Sequence, residues 1–446
     1  MRVCFVLNHE KSHVFFALIK TMRERFPGKY EFFLISISPK FNALATEMVG
    51  RDNYLYIPFS HREKCTKARS FDVGYNELVA GDRVLSTAHT KGLDFLINFT
   101  AVVYDFLVVQ KINFVFGELT WAHEVATHRL IKAYLSDTCI YLNPHTIRLP
   151  PGMFAFFEDE FQSVIRTSGA FKTVCVENNE AKPDYMLRND HAQWEDPLGS
   201  STRLQRILKR IFLPQEDPTI SSGLAALREY CQIYVNRWTY AVFSRLCVSS
   251  KREVTERFVY YPLHKQPEAS IDVVGRYYNN QLENIKRIAH ALPLHTKLYV
   301  KEHPSAIGCR SLAFYLSVAS LPNVRIVHHN VDPKYLVRQA LATVTVSGTA
   351  AYEAAMLGKQ AYTFAPCFFN GLGRCERVTY ETLSTRLRYT TLAEAIPYGC
   401  DEMSRQRVLV EGVFDGVFSD PRSDSRAISP QNISQLIYAF DQIMSE

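Results

Sequence analysis

Two doubly wound α/β domains separated by a helical insertion are the architecture this sequence predicts, and three features carry the prediction. Short apolar runs followed by longer helical patterns recur in the N-terminal part, and the same alternation restarts after residue 250. The stretch between, 182–251, is polar, charged and helical in pattern, with Pro183, Pro197, Pro214 and Pro218 punctuating it. Strand–helix alternation lays parallel strands side by side under covering helices. Domains are therefore expected at 1–181 and 252–429, with 182–251 as an insertion or linker and a last helix, 430–446, crossing back onto the first domain.

In the first domain, 3–7 reads as a strand, 14–25 as the helix behind it and 30–37 as a second strand. Strand 114–116, a helix over 121–135 and strand 139–142 follow. In the second domain 258–261, 297–300, 324–327 and 342–346 are strands, and 281–291 is a helix. Continuous apolar runs of this kind suit parallel strands covered on both faces. The most apolar stretch, 93–109, carries Asp94, Asn98 and Asp105 and reads as a buried helix rather than a membrane span. Near the end, Asp420-Pro-Arg-Ser-Asp-Ser425 is turn-rich, and the final helix starts at Pro430 with Ser429 as its N-cap.

At 446 residues the chain has room for two or three domains and a core that needs no staple. Its 47% hydrophobic and 22% charged residues exclude a disordered protein. The net charge of +6 suits an anionic small partner and is too small to indicate nucleic acid. Ten scattered cysteines with no CxxC pair argue for a reduced, cytoplasmic protein and against a zinc ribbon. The opening Met1-Arg-Val-Cys-Phe-Val-Leu-Asn8 is strand-like, and its apolar run is too short for a signal peptide. A soluble protein, at most peripheral to the inner face of the cytoplasmic membrane, is expected.

Ligands of open parallel sheets bind beyond the carboxyl ends of the strands, so polar residues just after each strand are the candidates. In Phe114-Val-Phe-Gly-Glu118 the carboxylate of Glu118 can act as a general base or substrate anchor, or simply favour the dipole of the next helix. His123 and His128 are weaker candidates on that helix. In Tyr260-Tyr-Pro-Leu-His-Lys-Gln-Pro-Glu268, Pro262 and Pro267 stiffen a loop that either holds Glu268 or is an interdomain turn. His303, stopped by Pro304, ends the strand of Lys297-Leu-Tyr-Val-Lys-Glu-His-Pro304 and is placed to bind a phosphate. Lastly, Ser347-Gly348-Thr349 runs from a strand into a helix, offering hydroxyls and free N–H groups to an anion, or plain capping. Glu353 follows one turn on and can face a ribose.

The sequence has no GxxxxGK[ST] loop, no GxGxxG after the first strand, no GxSxG elbow and no HExxH. Val331-Asp-Pro333 is a poor metal motif, so a metal-independent reaction without a cofactor is expected. One further pattern stands apart. In 203–212, Leu204, Ile207, Leu208, Ile211 and Phe212 share a helical face while Arg203, Arg206, Lys209 and Arg210 make the other basic. Such a helix either rests on an anionic membrane or packs on its own domain.

Taken in order, Gln266-Pro-Glu268, His303-Pro304 some 35 residues later and the Ser347-Gly-Thr349 helix start resemble the bacterial capsule polysaccharide biosynthesis glycosyltransferases. The likeness is to the retaining β-Kdo transferases, related in architecture to bacterial sialyltransferases. Phe116-Gly-Glu118 and Asn143-Pro-His145 resemble the N-terminal half of such proteins. The resemblance covers 258–366 specifically, 112–162 more loosely, and the helical insertion not at all.

The resemblance implies a GT-B enzyme, two Rossmann-like domains facing a cleft, that moves a 3-deoxy-2-ulosonic acid from CMP-Kdo to a glycan or lipid-linked glycan. It implies that His303, Ser347 and Thr349, with Gly348 and Pro304 shaping their loops, contact the donor phosphate. Glu268 would be the nucleophile and Glu118 the acid/base group, with the roles open to exchange. Gln266 and Glu353 would lie on the donor side, and Lys265 and Lys301 would meet the donor carboxylate or be plain surface lysines. The 150 residues between Glu118 and Glu268 leave the acceptor side undefined. A GT-B transferase or epimerase using a UDP-sugar, and a non-catalytic capsule-assembly protein, remain the competing readings.

Overall fold

The chain carries two largely parallel sheets, one in each of two structural units. The computed structural model describes residues 1–58, 71–147, 152–167, 171–175, 201–212, 222–247, 256–370, 372, 374–393, 407–422 and 424–445. Of the expected insertion, 182–200, 213–221 and 248–251 lie outside the described residues. Unit 1 takes in Met1–Val174 and Leu409–Glu446, and unit 2 takes in Ser221–Val408 and the helix before it.

Unit 1 winds outward from its first strand. β1 (Arg2–Val6), α1 (Ser12–Arg25), β2 (Glu31–Ser36), α2 (Asn42–Val49) and β3 (Tyr54–Tyr56) build one half of the sheet. After α3 (Tyr75–Gly81) and α4 (His89–Val109) the chain returns to the other side of β1 as β4 (Phe114–Phe116). Val3 therefore pairs with Phe32 on one side and Phe114 on the other. α5 (Ala122–Tyr134), β5 (Ile140–Ile147) and β6 (Met153–Phe157) follow, β6 running antiparallel to β5. α4 is, among the described residues, the helix long and apolar enough to cross a membrane by length and composition. Its Phe95, Leu96, Phe99, Val103 and Leu107 are nonetheless buried in unit 1, while Val108 and Val109 are exposed.

β7 (Phe171–Cys175) pairs with β14 (Arg407–Glu411) in a separate two-stranded ribbon. The end of the chain completes unit 1. β15 (Val413–Asp415) adds to the sheet edge beside β6, and α13 (Pro430–Ser445) lies on α1. Ile433, Leu436, Ile437, Phe440, Ile443 and Met444 recur at helical spacing and all face the core. Phe440 puts its ring 4.7 Å from Phe116 and 4.9 Å from Phe156, centroid to centroid. Twelve of the chain's 29 phenylalanines are buried in this core. Ser429 Oγ accepts the N–H of Asn432 at the helix start, as its sequence position predicts.

Unit 2 repeats the winding. α6 (Ser201–Phe212) and α7 (Gly223–Cys247) precede β8 (Phe258–Pro262), α8 (Gln281–Ala291), β9 (Lys297–Lys301), α9 (Leu312–Ala319) and β10 (Val324–Val327). Then α10 (Pro333–Gln339) leads back across to β11 (Ala342–Thr345), α11 (Thr349–Met356), β12 (Gln360–Thr363), β13 (Cys375–Arg377) and α12 (Tyr380–Ala393). The strand order β10-β9-β8-β11-β12-β13 is parallel throughout. α7 is part of this unit's core: Tyr240 and Phe243 pack with Tyr315. Asp332, in the Val-Asp-Pro motif, caps α10 by accepting the N–H of Lys334 at 3.0 Å.

The placement of Phe440 gives a direct test. Phe440→Ala removes a fully buried ring from the centre of unit 1 and should cost about 3–5 kcal/mol in urea unfolding. A loss below about 1 kcal/mol would mean that α13 is not part of that core.

Candidate functional site

In a doubly wound sheet the strand order reverses at one point, where the loops leaving two adjacent strands diverge and open a crevice. Unit 2 reverses between β8 and β11. The loops leaving those strands are 263–268 and 346–349, the second and fourth of the sequence candidates. The third, His303-Pro304, leaves β9 directly beside β8. One edge of one sheet thus brings together the three motifs that are far apart in sequence.

The centre of this edge is His264. Its Nε2 accepts the N–H of Val346 at 3.3 Å and lies 2.9 Å from Thr345 Oγ1. Thr345 Oγ1 in turn accepts the N–H of Gly348 at 3.2 Å, so its proton points to the histidine. These acceptor contacts place the ring proton of neutral His264 on Nδ1. Burial, with the charges of His303 and Arg310 adding to it, lowers His264 to about 3, so it stays neutral. A Cβ on Gly348 would sit 2.6 Å from Thr345 Oγ1, and one on Gly275 2.4 Å from Val346 Cγ1. Both positions are too close to a neighbour for a side chain, Gly348 to Thr345 and the His264 ring and Gly275 to Val346.

A buried ion pair, Glu302 with Arg310, also ties into this edge. Glu302 accepts Arg310 Nη1 at 2.6 Å, Tyr315 OH at 2.6 Å and the N–H of His303 at 2.6 Å. Arg310 Nη2 donates to the carbonyl of His264, which also accepts from Gln281. The connection after β9, the helix α9 and the β8 loop are therefore tied into one network.

The predicted site residues divide into braces and outward-facing groups. Gln266 is a brace: its amide donates to Asp272 at 2.7 Å and to the carbonyl of Asn279, and it accepts from Gln281. Ser347 Oγ donates to the carbonyl of Ser270 at 2.6 Å, joining the two loops and leaving lone pairs to accept. Glu268 is half-buried, its backbone N–H on Asp272 and its Oε2 accepting from Ser270 at 3.0 Å. His303 is exposed, with Nδ1 accepting the N–H of Ser305 at 3.2 Å, so its neutral ring carries its proton on Nε2. Pro304 starts the short turn Pro304–Ala306 that this contact caps. Gly348 is the N-cap of α11, and Thr349 its first residue, in a turn whose leading N–H groups lack intrahelical acceptors. Glu353 is half-buried on the same helix, and Lys265 is half-buried after β8. Lys301 is buried at the end of β9, and burial pulls its ammonium down to about 8 against Glu302 and Asp332.

Unit 1 reverses between β1 and β4, and Glu118 stands at that point. Asn8, just past β1, donates to Glu118 Oε2 at 2.9 Å, and Lys11 forms an ion pair with Oε1. Tyr141 OH donates to the Glu118 carbonyl at 2.9 Å. Asn8 also donates to Thr120 Oγ1 at 2.9 Å, which donates to Glu124 Oε2 at 3.0 Å. The backbone N–H groups of Thr120 and Trp121 end on that same oxygen. Glu124 is fully buried, and its other oxygen has no partner. Burial, then the charge of Glu118, pushes its carboxyl well above the usual range. Of the two adjacent carboxyl groups, Glu118 is paired with Lys11, while Glu124, buried without a cation, is the one whose proton is favoured.

His123 and His128 are both buried on α5, and burial lowers His128, whose Nε2 lies 2.9 Å from the Glu158 carbonyl. Asn143, Pro144 and His145 lie within β5, paired with Phe157, Phe156 and Ala155. Sequence reasoning missed His264, Arg310 and Glu302 in unit 2, and Asn8, Lys11 and Glu124 in unit 1. Asn8 and His264 carried a usable signal, since each follows a central strand of its sheet.

Residues 236–394 match the family model described as Capsule polysaccharide biosynthesis protein. Among solved structures, a β-Kdo 2,7 transferase, KpsC, of Thermosulfurimonas dismutans is 13% identical over 77% of this chain and 89% of its own, with a TM-score of 0.33. A β-Kdo 2,4 transferase of the same organism is 14% identical over 74% and 87%, with a TM-score of 0.31. A UDP-GlcNAc 2-epimerase of Neisseria meningitidis is 11% identical over 100% of both chains, with a TM-score of 0.32. No curated protein matches the chain.

The state of Glu124 has a measurable consequence. Because its pKa is higher folded than unfolded, the native state holds an extra proton above the ordinary carboxyl range, and stability falls as pH rises through that window. Glu124→Gln keeps an acceptor oxygen and cannot ionise. Its melting temperature should equal the wild type's at about pH 5 and exceed it at about pH 8. An offset constant with pH would show that Glu124 is not the titrating group.

Proposed function

We propose that this chain is a glycosyltransferase of capsule polysaccharide assembly that moves Kdo, a 3-deoxy-ulosonic acid, from a CMP-activated donor to a glycan or lipid-linked glycan, with retention. One observation carries the reading. The family match over 236–394 spans Gln266-Pro-Glu268, His303-Pro304 and Ser347-Gly-Thr349, the motifs that meet at the carboxyl edge of the unit 2 sheet.

In this reading the donor phosphate sits at the start of α11, against the Thr349 hydroxyl and the leading N–H groups of that helix, and takes a proton contact from His303 Nε2, while Ser347, its proton on the Ser270 carbonyl, braces the loop. CMP leaves as a phosphate monoester whose charge is met by those donors, so the reaction needs no metal ion. Glu268 attacks the anomeric carbon: the carbon–oxygen bond to the carboxylate forms as the bond to phosphate breaks, and CMP departs with the electron pair. An acceptor hydroxyl then displaces Glu268, re-forming the carboxylate, and its proton passes to a carboxylate base, the role the sequence resemblance gives Glu118. Lys11 and Asn8 support that role by fixing the orientation of the Glu118 carboxylate. Lys265 and Lys301 are assigned to the donor carboxylate; a lysine poised at about 8 keeps most of its charge at neutral pH when an anion joins it.

A thermal titration with CMP, UDP, GDP and ADP tests the donor. Stabilisation selective for CMP is expected, about 2.7 kcal/mol at a hundredfold excess over Kd. His303→Ala, an exposed change, should keep the unliganded melting temperature and lose most of that shift. Selectivity for UDP would replace the donor, and no response to any of the four would remove the nucleotide-sugar reading.

Glu268→Gln separates binding from chemistry. The variant should bind CMP normally while transfer from CMP-Kdo falls by about a hundredfold or more. Undiminished transfer would take the nucleophile role from Glu268.

A further inference from the structure

α7 has two apolar faces, and the fold uses only one. Tyr240 and Phe243 enter the unit 2 core, and Asn236 is buried with its amide on the Gly308 carbonyl at 3.0 Å. The other face carries Leu224, Leu227, Cys231, Val235, Trp238, Val242 and Leu246, all exposed. Leu224 is 74% accessible, Trp238 71% and Leu246 78%. These are large side chains in open water on a soluble surface, a pattern that marks an interaction site.

The spacing and charge of the stripe identify its partner. Its residues step by three, four, four, three, four and four, which keeps them in line on a straight helix for about 33 Å. A left-handed helix pair needs the tighter 3.5-residue period, so the stripe fits a flat surface better than a second α7. Arg228 and Arg245 are exposed beside it, and no acidic side chain interrupts it from Leu224 to Leu246 except Glu229, which is turned aside to Arg210 of α6 at 3.1 Å. Two copies would oppose like charges across such a face, whereas an anionic surface would neutralise them. α6, read from sequence as the basic amphipathic helix, is held to α7 by Arg210, which also donates to Tyr230 OH at 3.0 Å. Leu208 and Phe212 of α6 are exposed as well. The side chains of Arg203, Leu204 and Arg206 lie outside the described residues.

We infer that the Leu224–Leu246 stripe of α7 is a docking surface for an anionic lipid bilayer, with Trp238 seated at the interface and Arg228 and Arg245 on lipid headgroups. The surface is independent of the proposed reaction, which can fail or succeed on soluble acceptors without bearing on it.

The test is sedimentation of the full chain with vesicles of phosphatidylglycerol and phosphatidylcholine, against vesicles of phosphatidylcholine alone. The wild type should partition onto the anionic vesicles with a blue shift in tryptophan emission that Trp238→Phe removes. The double variant Trp238→Glu, Leu246→Glu should lose about tenfold or more of that binding while its circular dichroism and melting temperature stay those of the wild type. Arg228→Gln with Arg245→Gln should reduce the preference for the anionic vesicles. Equal partitioning of wild type and double variant, or none by either, overturns the inference. So does a dimer in analytical ultracentrifugation that the double variant converts to monomer without any vesicle binding by the wild type.

Discussion

Glu302 has almost no contact with water, and the unit 2 edge is built on how its charge is met. Arg310, Tyr315 and the N–H of His303 all point their protons at it. Removing one partner from such a carboxylate would leave charge stranded in a medium that solvates it poorly. Because Arg310 spends its second nitrogen on the His264 carbonyl, the constraint passes from β9 to the β8 loop. His264 then passes it to β11 through Thr345 and Val346. Three loops that separate strands would let wander are thus held in one register by a chain of charge-assisted and neutral hydrogen bonds.

That rigidity explains a division among the unit 2 residues. Gln266 and Ser347 direct their donors into the protein, so their work is to fix the loops on which Glu268 and Thr349 stand. An interaction site needs such support because a displacement of an ångström or so weakens both anion binding and attack geometry. His303 combines both functions: its backbone and Nδ1 are tied into the turn, while the ring itself is exposed. Unit 1 applies the same logic with fewer parts. Asn8 and Lys11 leave β1 and settle on Glu118, and Thr120 links that group to Glu124. Glu124, fully buried and without a cation beside it, is the carboxyl whose proton burial favours.

Much of this was legible in the sequence, for reasons that differ by element. The central strands are uniform apolar runs, and Val324–Val327 and the helix Gln281–Ala291 fall where their patterns place them. The edge strands of the unit 1 sheet were not legible. β3 is two half-buried tyrosines around a leucine, too short an alternation to read, and β15 is a strand only because β6 offers it an edge. The motifs were found because they follow strands, but the sequence does not show which strands are neighbours. His264 looked like one more residue of a proline-rich run until β11 was placed beside β8. Arg310 and Glu302 gave no signal, since burial, not residue type, makes an ion pair structural. Glu124 was hidden for the same reason: in sequence it is an ordinary first-turn helix acid.

α7 shows how an average can conceal a pattern. Read as a whole, its 25 residues are of mixed polarity, and no single apolar face stands out. The cause is that two stripes on opposite sides cancel. One stripe is accounted for by Tyr240, Phe243 and the amide of Asn236, which the unit 2 core requires. Nothing in the packing of unit 2 requires Trp238 or Leu246, which stand in solvent at the same helical spacing. A helix free to be polar on its outer side, and apolar there for six successive turns, is constrained by something other than its own fold. The absence of acid along that side, in a helix whose one glutamate is drawn off by Arg210, narrows the constraint to a surface that is itself negative.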